Sequence, residues 1–214
     1  MMITLSGYEI FDSLFENMYS AVFKGMRVSD KKPVIVKLLN LEYPSTTDLF
    51  SFTHEYEIQA KLTGTAIARA YALEKAANSL AIILEDLGGE SVDTIIHRDS
   101  FTIEQKLLLA QRMTESLVQT HRQHIIHKDV NPSNFIWNRE TDTLKIIDFG
   151  IATELTREIS PYIYIDRLEG NLAYISPEQT GRMNRPVDYR TDLYSLGVTL
   201  YELFTGVVPF NDGD

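Results

Sequence analysis

The chain has no cysteine among its 214 residues. That excludes a disulfide framework and thiolate metal sites, and it fits a cytoplasmic location. Basic residues are also scarce: 20 Lys and Arg against 30 Asp and Glu, for a formal net charge of −10. This balance argues against nucleic acid or an anionic membrane as a general partner. The opening stretch MMITLSGYEIFDSL lacks a basic region followed by an apolar one, so no signal peptide is expected. No apolar run approaches the ~20 residues that span a bilayer, so no membrane span is expected either. No internal repeat or low-complexity segment is visible. What the chain does have is apolar content, 44% hydrophobic residues, enough to build one large domain or two small lobes.

The most informative stretch is His124 to Gly150, HIIHKDVNPSNFIWNRETDTLKIIDFG. It reads as an apolar run, a polar loop, a short hairpin and a second apolar run ending in Asp148-Phe149-Gly150. Asp129 and Asn134 lie five residues apart, and Asp148 follows nineteen residues after Asp129. Phosphoryl transfer needs a carboxylate to orient a hydroxyl, and an amide oxygen with a second carboxylate to hold magnesium. Alone, Asp and Asn at this spacing are ordinary turn residues. Followed by Ile146-Ile147-Asp148-Phe149-Gly150, they form a specific pattern.

His127-Lys128-Asp129…Asn134 and Asp148-Phe149-Gly150 resemble the catalytic and magnesium loops of the eukaryotic-type protein kinase family. The resemblance runs from about Tyr8 to the last residue. Tyr174 to Arg185 is similar to one bacterial subgroup, in which a Ser/Thr-kinase-like domain opens a long protein that continues with an ATPase module and sensor histidine kinase parts. The resemblance implies an α+β, bilobal fold. A small antiparallel sheet with one helix would occupy residues 1–86, and a mainly helical second lobe residues 87–214. It implies ATP and Mg²⁺ as cofactors and a protein Ser or Thr hydroxyl as acceptor.

Tyr8-Glu9-Ile10, Tyr19 to Phe23 and Pro33 to Leu39 read as strands from their β-formers. If Val22 closes the family's glycine loop, Phe15, Asn17 and Ser20 stand where the glycines should be. Glycines let the backbone approach phosphate closely, so weakened ATP binding is expected. Alone, Lys37 reads as a solvated strand-end lysine. The resemblance makes it the lysine that pairs the nucleotide phosphates. Thr46 to Leu62 reads as a helix, with Leu49, Phe52, Tyr56 and Gln59/Ala60 at near-helical spacing. Glu55 on that helix is then the partner of Lys37, preferred over Glu57 because Ile58 follows it by three.

Ile67 to Leu73 and Leu80 to Leu84 read as two further strands. Glu85 to Gly89 reads as an ordinary turn or, by the resemblance, as the hinge. Leu84 would back the adenine pocket, Val22 would cover it, and backbone groups from Glu85 to Leu87 would bond the base. A short helix is expected from Ser91 and a long one from Thr102 to His124, packed through Ile103, Leu107, Ala110, Thr114/Met113, Leu117 and His121. His54, His97, His121 and His124 show no metal-like spacing and read as ordinary polar residues.

Further departures follow from the resemblance. Lys128 replaces an arginine, Asn131 the lysine of the D-x-K-P-x-N loop, and Asn171 a threonine that bridges aspartate and lysine. Pro132 favours a Ser/Thr-type loop. Thr153, Thr156, Ser160, Tyr162 and Tyr164 are candidate modification sites. Asp192 matches the buried helix aspartate that holds the catalytic loop. By the resemblance, the second lobe is expected to lack its last helices and Glu178 the arginine partner they carry, leaving an exposed apolar patch on the last helix present. Two function classes follow: an active Ser/Thr kinase, with Asp129, Lys37 and Glu55 catalytic and Asn134 and Asp148 on the metal, or a nucleotide-binding, pseudokinase-like regulatory module.

Overall fold

A computed structural model describes residues 5–155, 172–181 and 185–210. The chain divides into two units. The first is Met1–Thr63 with Ala68–Gly88, and the second is Gly64–Ile67 with Gly89–Asp214. Along the chain the change from one unit to the other falls at Gly88/Gly89. The short segment 64–67 joins the second unit because Ile67 bridges to Ile146 and Ile146 N–H donates to Ala66 O.

The first unit is a five-stranded antiparallel sheet with one helix. Its elements are β1 (Tyr8–Glu16), β2 (Ser20–Arg27), β3 (Lys32–Leu39), α1 (Thr46–Lys61), β4 (Ala70–Ala76) and β5 (Ser79–Glu85). The strand order is β1-β2-β3-β5-β4. The strand expected from Ile67 begins three residues later, because Ile67 pairs with Ile146 instead. Side chains alternate faces along a strand, and β3 uses both. Val34, Val36 and Leu38 enter one apolar cluster with Ala81 and Ile83. Leu39 enters another with Phe52 of α1 and Ile82 of β5. Lys37 shares the parity of Leu39, so it lies on the α1 side. Ser45 caps α1 in a capping box with Asp48. The buried face of α1 is Phe52, Glu55, Ile58 and Gln59. Ala60, expected on that face, is exposed.

The second unit contains β6 (Glu90–Ser91), α2 (Val92–Arg98), α3 (Ile103–His121), β7 (Ile125–Ile126), β8 (Phe135–Asn138), β9 (Thr143–Ile146), β10 (Thr153–Glu154) and α4 (Tyr189–Thr205). β6, β8 and β9 form one small sheet, and β7 pairs with β10. Gly89 is required by close approach: a Cβ there would sit 2.6 Å from the backbone carbonyl of Trp137. Thr102 caps α3 in a box with Gln105, as its sequence predicts. The packed face differs from the expected one. Leu109, Met113, Ser116, Leu117 and Thr120 are buried, whereas Ile103 and Leu107 are each 56% exposed. Buried hydroxyls explain the shift. Ser116 and Thr120 bond carbonyls one turn back, so they enter the core without unsatisfied groups. α4 buries Leu196, Val198 and Leu203, but also Thr191, Asp192, Ser195, Thr199 and Glu202. Leu193 on this helix, expected to be buried with the rest of its apolar residues, is exposed, as are Tyr201, Val207 and Phe210.

Candidate functional site

In the first unit, the placement of Lys37 follows from strand parity and helix spacing. Phe52 and Glu55 are three apart on α1 and face the sheet together. Lys37 Nζ reaches Glu55 Oε1 at 2.6 Å, with both side chains largely buried. Glu57 points to solvent. Val22 stands directly opposite Lys37 in the β2–β3 register. Leu84 is half-buried beside Ile35. Glu85 N–H donates to Arg69 O, so that donor is engaged within the sheet. Gly88 N–H donates to Asp86 Oδ1, an Asx turn at the end of the unit.

The second unit holds the polar loop by one buried carboxylate. Asp192, fully buried on the first turn of α4, accepts from His127 N–H at 2.8 Å and Lys128 N–H at 2.7 Å. His121 Nε2 lies 2.8 Å from the same carboxylate. These bonds hold Lys128 at φ 67, a left-handed conformation that disfavours any side chain with a Cβ. Gln179 adds a bond to Lys128 O at 2.8 Å. Burial lowers the Lys128 ammonium below the usual lysine range.

His127 is fully buried, as a packing residue should be. Its Nδ1 accepts from Asp129 N–H at 3.3 Å, which leaves Nε2 to donate to Ile147 O at 3.0 Å. Its ring meets Phe149 edge-on at 4.8 Å. The sequential motifs at 127–129 and 148–150 are therefore bound into one assembly.

Asp129 receives an amide on each carboxylate oxygen. Asn131 Nδ2 donates to Oδ1 at 3.0 Å and Asn134 Nδ2 to Oδ2 at 2.8 Å. Asn134 Nδ2 also donates to Asp129 O at 2.8 Å. With its nitrogen so engaged, Asn134 keeps its Oδ1 as an oxygen donor. Burial pushes the Asp129 carboxyl up, and the nearby negative charge of Asp148 adds to this. The two amides pull the other way. Asp148 sits at φ 62 and accepts from Gly150 N–H at 3.1 Å. An amide oxygen and a carboxylate are hard donors that suit a divalent cation such as Mg²⁺.

Several readings look different in the fold. Asn131 does not point outward as a short substitute for lysine. It is buried, caps the turn Pro132–Asn134 through Ser133 N–H, and holds Asp129. Glu178 has a partner in Thr191, whose hydroxyl donates at 2.9 Å. Thr153 is only 6% exposed, so it is a poor modification site as it stands. Thr156, Ser160, Tyr162, Tyr164 and Asn171 lie outside the described residues. His121 and His97 are more engaged than ordinary surface histidines. His97 lies 3.5 Å from Asp93 and 3.6 Å from Glu202, a grouping across α2 and α4 that linear spacing concealed. Glu202 also accepts the Tyr174 hydroxyl, and burial with this carboxylate pushes the phenol well above its usual range.

The turn Asn17–Ser20 holds a feature that the sequence reading missed. Asn17 Oδ1 accepts from Tyr19 N–H at 2.8 Å and Ser20 N–H at 2.7 Å. The signal was available, since asparagine characteristically bonds backbone amides two residues on.

Comparison with known proteins matches the family described as protein kinase domain over residues 8–214. A probable serine/threonine-protein kinase of Clostridium acetobutylicum is 30% identical over 206 residues, 95% of this chain and 31% of that protein. One of Clostridium perfringens is 31% identical over 95% of this chain and 29% of that protein. Serine/threonine-protein kinase PknB of Mycobacterium leprae is 30% identical over 95% of this chain and 33% of that protein. The chain thus spans about a third of the length of these relatives.

Proposed function

The chain belongs to the protein kinase domain family, and from that premise we propose that it acts as a protein serine/threonine kinase in bacterial signal transduction. It would transfer the γ-phosphoryl group of MgATP to a Ser or Thr hydroxyl of a protein substrate. A P–O bond forms at the acceptor hydroxyl, the bond to the bridging oxygen of ADP breaks, and the hydroxyl proton passes to Asp129. The first unit contributes Lys37, aimed by Glu55, to the phosphates. It also contributes Val22, Leu84 and the backbone of Glu85 to Leu87 to the base. The second unit contributes Asn134 Oδ1 and Asp148 to Mg²⁺. When bound, the metal neutralises charge on the transferring phosphoryl group. The protein's part is to position these groups before the reaction begins.

One observation carries this reading. Asp129 is fixed by Asn131 and Asn134 on its two oxygens, and the same bond leaves the oxygen of Asn134 for the cation. The relatives that carry serine/threonine-kinase names do not favour the alternative, a binding module without catalysis. Among the described residues no helix is long and apolar enough to cross a membrane. We place the domain in the cytoplasm, where ATP is supplied. The stretch Tyr174 to Arg185 supports further ATPase and sensor histidine kinase parts in a longer parent chain. The test is transfer of label from γ-labelled ATP to the protein itself or to a generic basic protein. Asp129→Asn should abolish it. Equal signal from both proteins would sink the catalytic reading.

A further inference from the structure

The hairpin between β1 and β2 closes in three residues. Phe15 pairs with Val22 and Glu16 with Ala21, so both strands run to the base of the turn. The three amides at its tip belong to Met18, Tyr19 and Ser20. Two of them, Tyr19 and Ser20, donate to one atom, Asn17 Oδ1, at 2.8 and 2.7 Å. The turn is pinned from outside as well. Asn40 N–H donates to Tyr19 O at 2.7 Å and Asn40 Nδ2 to Asn17 O at 2.8 Å, while Asn17 N–H closes the turn itself on Ser20 O at 2.9 Å. Successive backbone amides converging on one point form the kind of concavity that binds a phosphoryl oxygen. Here the convergence point already holds a carboxamide oxygen from the chain itself.

We propose that Asn17 fills this turn with its own side-chain oxygen, in the place a phosphoryl oxygen of ATP would take. This rests on the kinase reading above. Asn17 thereby becomes a specificity-determining residue. The turn offers the triphosphate no grip from Tyr19 or Ser20, and within the first unit the phosphate grip falls on Lys37. An amide oxygen carries only a partial charge, so the cap holds the turn closed without drawing in a cation.

Two measurements on the full 214-residue chain test this. The first is amide hydrogen exchange at Tyr19 and Ser20 without nucleotide, then with saturating MgATP. The second is titration with ATP and with AMP, in wild type, Asn17→Gly and Asn17→Asp. In wild type the two amides should be protected without nucleotide and unchanged by MgATP. Asn17→Gly should lose that protection and bind ATP about five- to tenfold more tightly, with AMP unaffected, since each freed amide offers one net hydrogen bond. Asn17→Asp should keep the protection yet bind ATP more weakly than wild type, because its charge faces the phosphates. A purely structural turn residue would not move the two variants in opposite directions. The proposal is overturned if MgATP protects Tyr19 and Ser20 further in wild type, or if ATP affinity is indifferent to position 17. If no variant binds ATP or AMP at all, the kinase reading falls and takes the proposal with it.

Discussion

Asp192 is the residue whose loss should do most damage per atom removed. Its carboxylate is fully buried and takes three bonds: His127 N–H, Lys128 N–H and His121 Nε2. Asp192→Ala removes all three acceptor contacts. Two of the abandoned donors are backbone amides that no rotamer change can redirect. An unsatisfied buried donor costs about 1–3 kcal/mol, and bonds to a charged acceptor stand at the upper end. His121 is partly exposed and can turn to water, so its share is small. The two amides together then predict a loss of roughly 3–5 kcal/mol, against a typical total of about 5–15 kcal/mol. The same bonds hold Lys128 at φ 67, so strain released there offsets about 1 kcal/mol of this. Asp192→Asn keeps one oxygen but presents an NH₂ to a donor, so about half the loss should remain. Urea unfolding followed by Trp137 fluorescence measures this, since Trp137 is the only tryptophan and lies in β8. A loss below about 1 kcal/mol for Asp192→Ala would refute the reasoning, because it would mean the loop stands without its buried anchor.

Two other outcomes follow. Glu55→Ala should destabilise the chain by about 3–5 kcal/mol, because it removes the carboxylate that pairs with the largely buried Lys37 ammonium at 2.6 Å. Exposed Glu57→Ala should fall within about 0.5 kcal/mol, and thermal unfolding of the two side by side decides between them. The rate of phosphoryl transfer should also have an acid limb set by Asp129. Its carboxyl is raised by burial, and only the ionised form accepts the hydroxyl proton. As pH falls, activity should therefore be lost above the ~4 expected of a free aspartate. A limb at or below that value in the single-turnover pH profile would contradict the assignment.

The sequence by itself determined the element order and the family. The alternation in β2 and β3, the capping residues Ser45 and Thr102, and the spacing from Asp129 to Asp148 are local signals. Local signals survive in one dimension because strand and helix periods, caps and turn chemistry act over a few residues. The resemblance drawn from 127–134 and 148–150 therefore pointed to the right fold before any contact was known. It pointed to Glu55 as well, because a three-residue offset on a helix is itself a local pattern.

The tertiary structure decided what each polar side chain does. Asn131 read as a poor lysine, but in the fold it is a buried strut for Asp129. Asn17 read as a missing glycine, but it caps its own turn. Ile103 and Leu107 read as core, yet Ser116 and Thr120 lie inside and they do not. His121 and His97 read as surface polar residues until Asp192, Glu202 and Asp93 were brought to them. In each case apolar periodicity shows that a face is buried, but not which partners wait on the other side. A polar group's role depends on that partner, because an amide is a strut, a cap or a ligand only according to what it bonds. Those partners lie 71 residues away for His121 and Asp192, a separation over which sequence pattern carries no signal and only the packed chain does.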